Sequence, residues 1–396
     1  MRQKAAQCED AFVDIQGVRV HYLHAGAGRP MLLIHGLVGS SSNWRRNIDA
    51  LAQDRSVYAI NLVNTGKSER IAGLDAGLAA TADRVAAAMY ALGLDQADIA
   101  GHSHGGAVAL MLAARYPERV RSLMLFAPVN PFCSLPGPMI RLYSSAPGRM
   151  LAKCAPYLPQ RIQLIALGRM YGDPARIGKG CMKEYVDGLR VPGTIDHILS
   201  IVRSWFADMA SLKIALPLIA SIPTLLVWGD RDRALSMASG VRLKKEMTAS
   251  ELVVVPGGGH VVFEEMPEDS NRIMLDWLRR DPVSSTLAAS ERGSLGSRLR
   301  EQALTVPSPR GPERLPRYNI CLLELRAALP GLPAQTSPES TNESPPALGL
   351  ASRPVIPWSP GKSGPPPRST PAALAPVLAP KRQRASPGGR TRRGPH

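Results

Sequence analysis

The chain has 396 residues, is 44% hydrophobic and carries a formal net charge of +16, which is enough apolar material to bury the core of one large domain or two ordinary ones. Its five cysteines (Cys8, Cys133, Cys154, Cys181, Cys321) are odd in number, widely spaced and without a CxxC pair. They argue against a disulfide framework or a thiolate metal site and for a reduced compartment. The N-terminus is positively charged but has no apolar segment behind it, and no run of about 18 apolar residues follows, so a cytoplasmic protein with no transmembrane segment is expected.

Residues 18–23 (Val-Arg-Val-His-Tyr-Leu) alternate apolar and polar, the pattern of a half-exposed edge strand. The runs Met31–Ile34, Val57–Ile60, Ile99–Ala100 and Leu123–Phe126 are continuously apolar, as strands covered on both faces by helices are. Helical patterns lie between them at Asn43–Leu51, at Thr81–Leu92 with Thr81 as N-cap, and at Ala107–Arg115, closed by Tyr116-Pro117. This alternation predicts an α/β fold with a mostly parallel central sheet flanked by helices.

The alternation stops near Asn130 and resumes with strands at Thr224–Trp228 and Leu252–Val255 and a last helix over Asp269–Leu278. The interval has helical patterns at Arg161–Arg169 and Ile195–Met209 and no clear strand, and an insertion of that size needs a fold of its own. The expected organisation is therefore a core over residues 12–130 and 221–280, a helical cap over 131–220, and a tail over 281–396. That tail holds 21 of the 36 prolines and no sustained apolar period, and is expected to be disordered.

Charge follows this division. Residues 281–396 hold 16 basic against 7 acidic side chains, and the cap 11 against 5. Either segment is expected to feel a weak attraction to anionic surfaces, but no motif supports specific nucleic-acid binding. Thr65-Gly66-Lys67-Ser68 ends like a phosphate-binding loop, yet position 61 is Asn where that motif requires Gly. Nucleotide binding there is rejected.

The most informative segment is Gly101-His102-Ser103-His104-Gly105-Gly106, placed between a strand and a helix. A GxSxG in that context is a nucleophile elbow, in which the serine occupies a strained turn and the glycines remove crowding. A serine hydroxyl needs a general base and a group to orient the base. Downstream, Asp230 and Asp232 follow one buried strand and His260 sits in a glycine-rich loop after the next, giving the order Ser, Asp, His. Among eight histidines, His21 and His24 are expected at the surface, and His102 and His104 lie too near Ser103 along the chain to reach its Oγ easily.

On these motifs, residues from about 12 to 280 resemble the α/β-hydrolase superfamily, in particular its capped branch of serine-nucleophile esterases, carbon-carbon bond hydrolases and cofactor-free perhydrolases. The resemblance implies that the acid is the second carboxylate of Trp228-Gly229-Asp230-Arg231-Asp232, with Asp230 as the alternative. It implies that His35-Gly36 is an oxyanion loop, with the backbone N–H groups of Leu37 and His104 as donors. The family pattern Asp-x-x-Gly-x-Gly-x-Ser appears here as Asn61-Leu62-Val63-Asn64-Thr65-Gly66-Lys67-Ser68, which puts the rigidity of that loop in question. An aspartate at the elbow would mark a haloalkane dehalogenase or epoxide hydrolase, and Ser103 excludes both.

The expected function is a serine-dependent hydrolase of an ester or related carbonyl compound, acting through an acyl-enzyme on a small, lipophilic acyl substrate, with no cofactor and no metal. The alternative is a ligand-binding or signalling protein of the same fold with slow turnover. Apolar cap residues Met139, Ile140, Leu142, Tyr143, Met150, Leu164, Ile165, Leu167 and Met170 are expected to line an acyl pocket, rest on an anionic lipid surface, or pack on the core.

Overall fold

In the computed structural model, which describes residues 8–133 and 137–281, one eight-stranded sheet runs in the order β1-β2-β4-β3-β5-β6-β7-β8. The strands are β1 (Glu9–Ile15), β2 (Val18–Ala25), β3 (Arg29–Ile34), β4 (Arg55–Ile60), β5 (Ala97–His102), β6 (Val120–Phe126), β7 (Thr224–Gly229) and β8 (Ser250–Val255). Pairing is antiparallel from β1 to β2 and β2 to β4 and parallel everywhere else. Residues 282–396, which hold nearly all of the expected tail, lie outside the described residues. The first residue of that tail, Asp281, pairs with Arg121 and Arg29.

The continuous apolar runs are explained by a sheet with two buried faces. Because side chains alternate along a strand, Leu32, Ile34, Ile99, Leu123, Leu125 and Leu226 enter one core, while Met31, Leu33, Ala100, Met124, Phe126 and Val227 enter the other. The first core is closed by α2 (Leu78–Ala91) and α3 (His104–Arg115), and the second by α1 (Ile48–Leu51) and the last described helix (Pro267–Arg279).

Three local expectations are corrected. Residues 18–23 are not an edge, because β1 pairs along the outer side of β2, and His21 is accordingly buried against Asp10 and Asn61. Thr81 is not the N-cap of α2: the helix starts at Leu78 after Gly77, and the Thr81 hydroxyl donates to the Gly77 carbonyl from inside the first turn. Asn43–Leu51 is not one helix but a 3₁₀ turn (Ser41–Trp44) followed by the single turn α1, since the Asn43 side chain is taken up in capping the 3₁₀ turn.

Between β6 and β7 lie α4 (Gly137–Ser144), α5 (Ala146–Cys154), α6 (Gln160–Gly168), α7 (Cys181–Arg190) and α8 (Thr194–Ile219). The 26-residue α8 outruns its expected end because its last turns bury Leu212, Leu216 and Ile219 in the first core. Pro217, near its C-terminus, lacks the N–H that an interior position would supply.

The sheet order also locates the site. The chain leaves β3 for β4 on one side and returns to β5 on the other, so the loops after β3 and β5 separate above the carboxyl ends of adjacent strands. Such a switch point is where open α/β sheets bind ligands.

Candidate active site

Ile34 pairs with Gly101, which sets the His35-Gly36 turn beside His102-Ser103. Ser103 connects β5 to α3 with φ 52° and ψ −117°, a conformation costing an L-residue on the order of 1–3 kcal/mol. Its own backbone groups hold it there. The Ser103 N–H donates to the Phe126 carbonyl (3.0 Å), and its carbonyl accepts from Gly106 (3.0 Å) and Val129 (2.9 Å). A Cβ at Gly105 would lie 2.3 Å from the His35 carbonyl oxygen, and one at Gly101 would lie 2.6 Å from that of Gly105. The glycines flanking the serine are therefore fixed by backbone packing.

The loop after β8 delivers His260. Its Nε2 stands 3.0 Å from Ser103 Oγ and its Nδ1 2.8 Å from Asp232 Oδ2. Asp232 follows β7, and its other oxygen accepts from the N–H groups of Ala234 (2.8 Å) and Leu235 (2.9 Å). With a proton on Nδ1 donated to Asp232, the free Nε2 lone pair faces the serine hydroxyl. Asp230, the alternative acid, is exposed and accepts from the Gly257 N–H at 2.7 Å, away from the imidazole. His102 and His104 do not reach the serine either. The His102 Nε2 sits 3.1 Å from the His260 carbonyl, and its ring packs 4.8 Å from that of His260.

The His35-Gly36 turn is held by the His35 ring, whose Nδ1 donates to the Gly36 carbonyl (2.7 Å) while its Nε2 accepts from the Leu62 N–H (3.2 Å). A Cβ at Gly36 would fall 2.7 Å from His102 Nδ1, so the turn can approach the serine only as glycine. Among the described residues, no protein acceptor takes the N–H of Leu37 or of His104.

The Asn61–Ser68 loop keeps its shape without the family's acid. Asn64 adopts φ 69°, which asparagine tolerates better than other residues bearing a side chain. Its amide clasps both backbone groups of Ile71, and Asn61 bridges the Ser41 N–H and His21.

Two carboxylates here are not singled out by the sequence reading. Glu265, with no exposed side-chain surface, accepts from the N–H groups of Gly259 (2.8 Å), Gly172 (3.0 Å) and Asp173 (2.9 Å) and from Arg176 (3.2 Å). It thus ties the loop bearing His260 to the segment between α6 and α7, and the His260 N–H itself donates to the Met170 carbonyl at 2.7 Å. Glu264 gathers Arg45, Asn43, Tyr185 and the Cys181 thiol. The signal was present: two adjacent acids directly after the apolar run Val261-Val262-Phe263, where burial demands partners. Replacing Glu265 by Ala should lower the unfolding free energy by about 3 kcal/mol or more, because two buried N–H groups, a part-buried one and a guanidinium lose their acceptor. Urea denaturation measures this, and a loss below about 1 kcal/mol contradicts the clamp.

Burial keeps several histidines here neutral. It lowers His35 and His197 to about 4 and His104 to about 3, and His102 well below its usual value. The unfolded chain takes up these protons near pH 6.5, the folded chain only near 4. The fold is thus fully stable above that window, and protonation favours unfolding as the pH falls through it. Thermal unfolding should therefore drop progressively from pH 6.5 towards 4, and a flat profile contradicts neutral burial of these rings.

A strand-turn-helix elbow at the switch point of a mostly parallel sheet, with acid and histidine on the loops after the next strands, is the architecture of an α/β hydrolase. A family model described as alpha/beta hydrolase fold matches residues 29–158. The chain is 33% identical over 255 residues to the dihydrolipoyllysine-residue acetyltransferase component of the acetoin cleaving system of Pseudomonas putida, covering 64% of each protein. It is 26% identical over 269 residues to 2-hydroxy-6-oxo-2,4-heptadienoate hydrolase of Pseudomonas putida, covering 66% of this chain and 93% of that one. Among solved structures, 2-hydroxy-6-oxo-6-phenylhexa-2,4-dienoate hydrolase from Rhodococcus superposes with a TM-score of 0.60 at 23% identity, covering 69% and 99% of the two chains. The chain has the α/β-hydrolase fold, and its match to that family's model covers residues 29–158.

Proposed function

We propose that the protein is a serine-dependent hydrolase that cleaves an ester or related carbonyl compound through an acyl-enzyme. The observation that carries this reading is the pair of contacts on His260, 3.0 Å to Ser103 Oγ and 2.8 Å to Asp232. In it, Ser103 Oγ attacks the carbonyl carbon while His260 Nε2 takes its proton. Asp232 stabilises the imidazolium, and the N–H groups of Leu37 and His104 receive the oxyanion, each donor being worth about 3 kcal/mol. His260 then protonates the leaving group, and water activated by the same ring cleaves the acyl-enzyme. The helices of residues 131–220 act as a cap that selects a small lipophilic acyl group.

The named relatives widen the acceptor question. One is an acetyltransferase component and another a hydrolase of a hydroxy-oxo-dienoate, so transfer of the acyl group to a thiol is the second reading. Both share the acyl-enzyme and differ in what resolves it.

The test is pre-steady-state hydrolysis of a p-nitrophenyl acyl ester series, with an acyl thioester, a β-diketone and an added dithiol as arms. A nitrophenol burst stoichiometric with protein, followed by steady turnover, is expected. Acceleration by the dithiol marks transfer, whereas labelling with negligible turnover marks the ligand-binding alternative. Absence of a burst and of turnover on every substrate overturns the proposal.

A further inference from the structure

The inserted helices present more apolar surface to solvent than a monomer in water needs. Met150, Leu151, Tyr157, Ile162, Leu164 and Ile165 on α5, α6 and the turn between them are between 39% and 71% exposed. Of the cap residues expected to be apolar lining or packing, Ile140 and Leu167 are buried, whereas Leu142, Met150, Leu164 and Ile165 face out. The nine-residue α6 shows the imbalance most clearly. It buries only Leu167 and Gly168 and turns three aliphatic side chains outward. Clustered apolar exposure of this kind marks an interaction surface.

The charges around it indicate the partner. No Asp or Glu occurs anywhere between Glu118 and Asp173, while Arg141, Arg149, Lys153, Arg161 and Arg169 all fall in that interval. Lys153 is paired with Asp196 of α8. Arg141, Arg161 and Arg169 are exposed and make no ion pair among the described residues. A surface that combines aliphatic side chains with basic ones, on helices that carry no carboxylate of their own although Asp187 and Asp196 border them, complements an anionic lipid interface, where apolar groups enter the acyl boundary and cations meet head-group phosphates. A second copy of the same chain would bring like charges together.

We propose that α5, α6 and the turn joining them form a docking surface for anionic phospholipid bilayers. None of these apolar side chains is among the groups assigned to the chemistry of Ser103, Asp232 and His260, so the proposal can fail without that chemistry failing. No helix among the described residues is long and apolar enough to cross a membrane, so the contact is interfacial.

Co-sedimentation of the full chain with vesicles of phosphatidylcholine alone, or mixed with phosphatidylglycerol, tests this. Binding to the anionic vesicles that weakens with added salt is expected, and Ser103→Ala should bind equally well. Arg161→Gln with Arg169→Gln should lower partitioning about fivefold per charge removed. Ile162→Ser with Ile165→Ser should lower it about tenfold or more at unchanged Tm. The proposal is overturned by absence of binding, or by binding that both double variants leave intact, which would assign it to the basic residues beyond 281. It is equally overturned if light scattering shows a dimer that Ile162→Ser with Ile165→Ser dissolves.

Discussion

Replacing Ser103 by Ala lowers kcat on any acyl substrate by a factor on the order of 10⁴ to 10⁶ while leaving the fold in place. Both parts have structural reasons. The hydroxyl hydrogen-bonds His260, while the strained turn is held by the backbone groups of Ser103 and by the packing of its glycine neighbours. The unfolding midpoint therefore moves little. Residual catalysis comes from bound substrate and the oxyanion donors alone. A variant retaining more than about a hundredth of the wild-type rate contradicts a nucleophilic serine.

Asp232→Asn is the second large effect, a fall in kcat of about 10⁴-fold. Here the pattern of donors predicts which way the amide turns. The N–H groups of Ala234 and Leu235 both point at Oδ1, so the asparagine carbonyl stays on that side and its NH₂ replaces Oδ2 opposite His260 Nδ1. Two donors cannot face each other, and the ring proton moves to Nε2. The nitrogen that should receive the serine proton is then occupied. Asp230→Asn is the control: among the described residues its carboxylate accepts from the Gly257 N–H and not from His260, so activity should fall less than about tenfold. Reversed magnitudes would transfer the role of acid to Asp230.

The buried strands and the elbow were legible because they rest on local rules. Continuous apolar runs signal buried strands, and a serine between glycines at a strand-helix junction has few alternatives. Several misreadings turned on a partner outside the segment being read. Residues 18–23 read as an edge because nothing in them announces β1, whose Glu9–Ile15 supplies the outer pairing. His21 reads as a surface histidine until Asp10 and Asn61 are placed beside it. Glu265 can be read as an acid that needs partners, but not as a clamp, because three of its donors are backbone N–H groups, which any sequence supplies, and two of these lie more than 90 residues away. The segment between β6 and β7 was the least legible part. Its apolar residues look alike in sequence whether they face the core or solvent, and only packing divides Leu167 from Ile165.

The central claim is that Ser103 carries the acyl group. Acid-quenching the protein during turnover of an activated ester and mapping the added mass by peptide mass spectrometry tests it most directly. The account predicts one acyl group per chain on the peptide containing Ser103, absent in Ser103→Ala and formed far more slowly in His260→Ala. An adduct on another residue, or turnover with no adduct at any quench time, would contradict it.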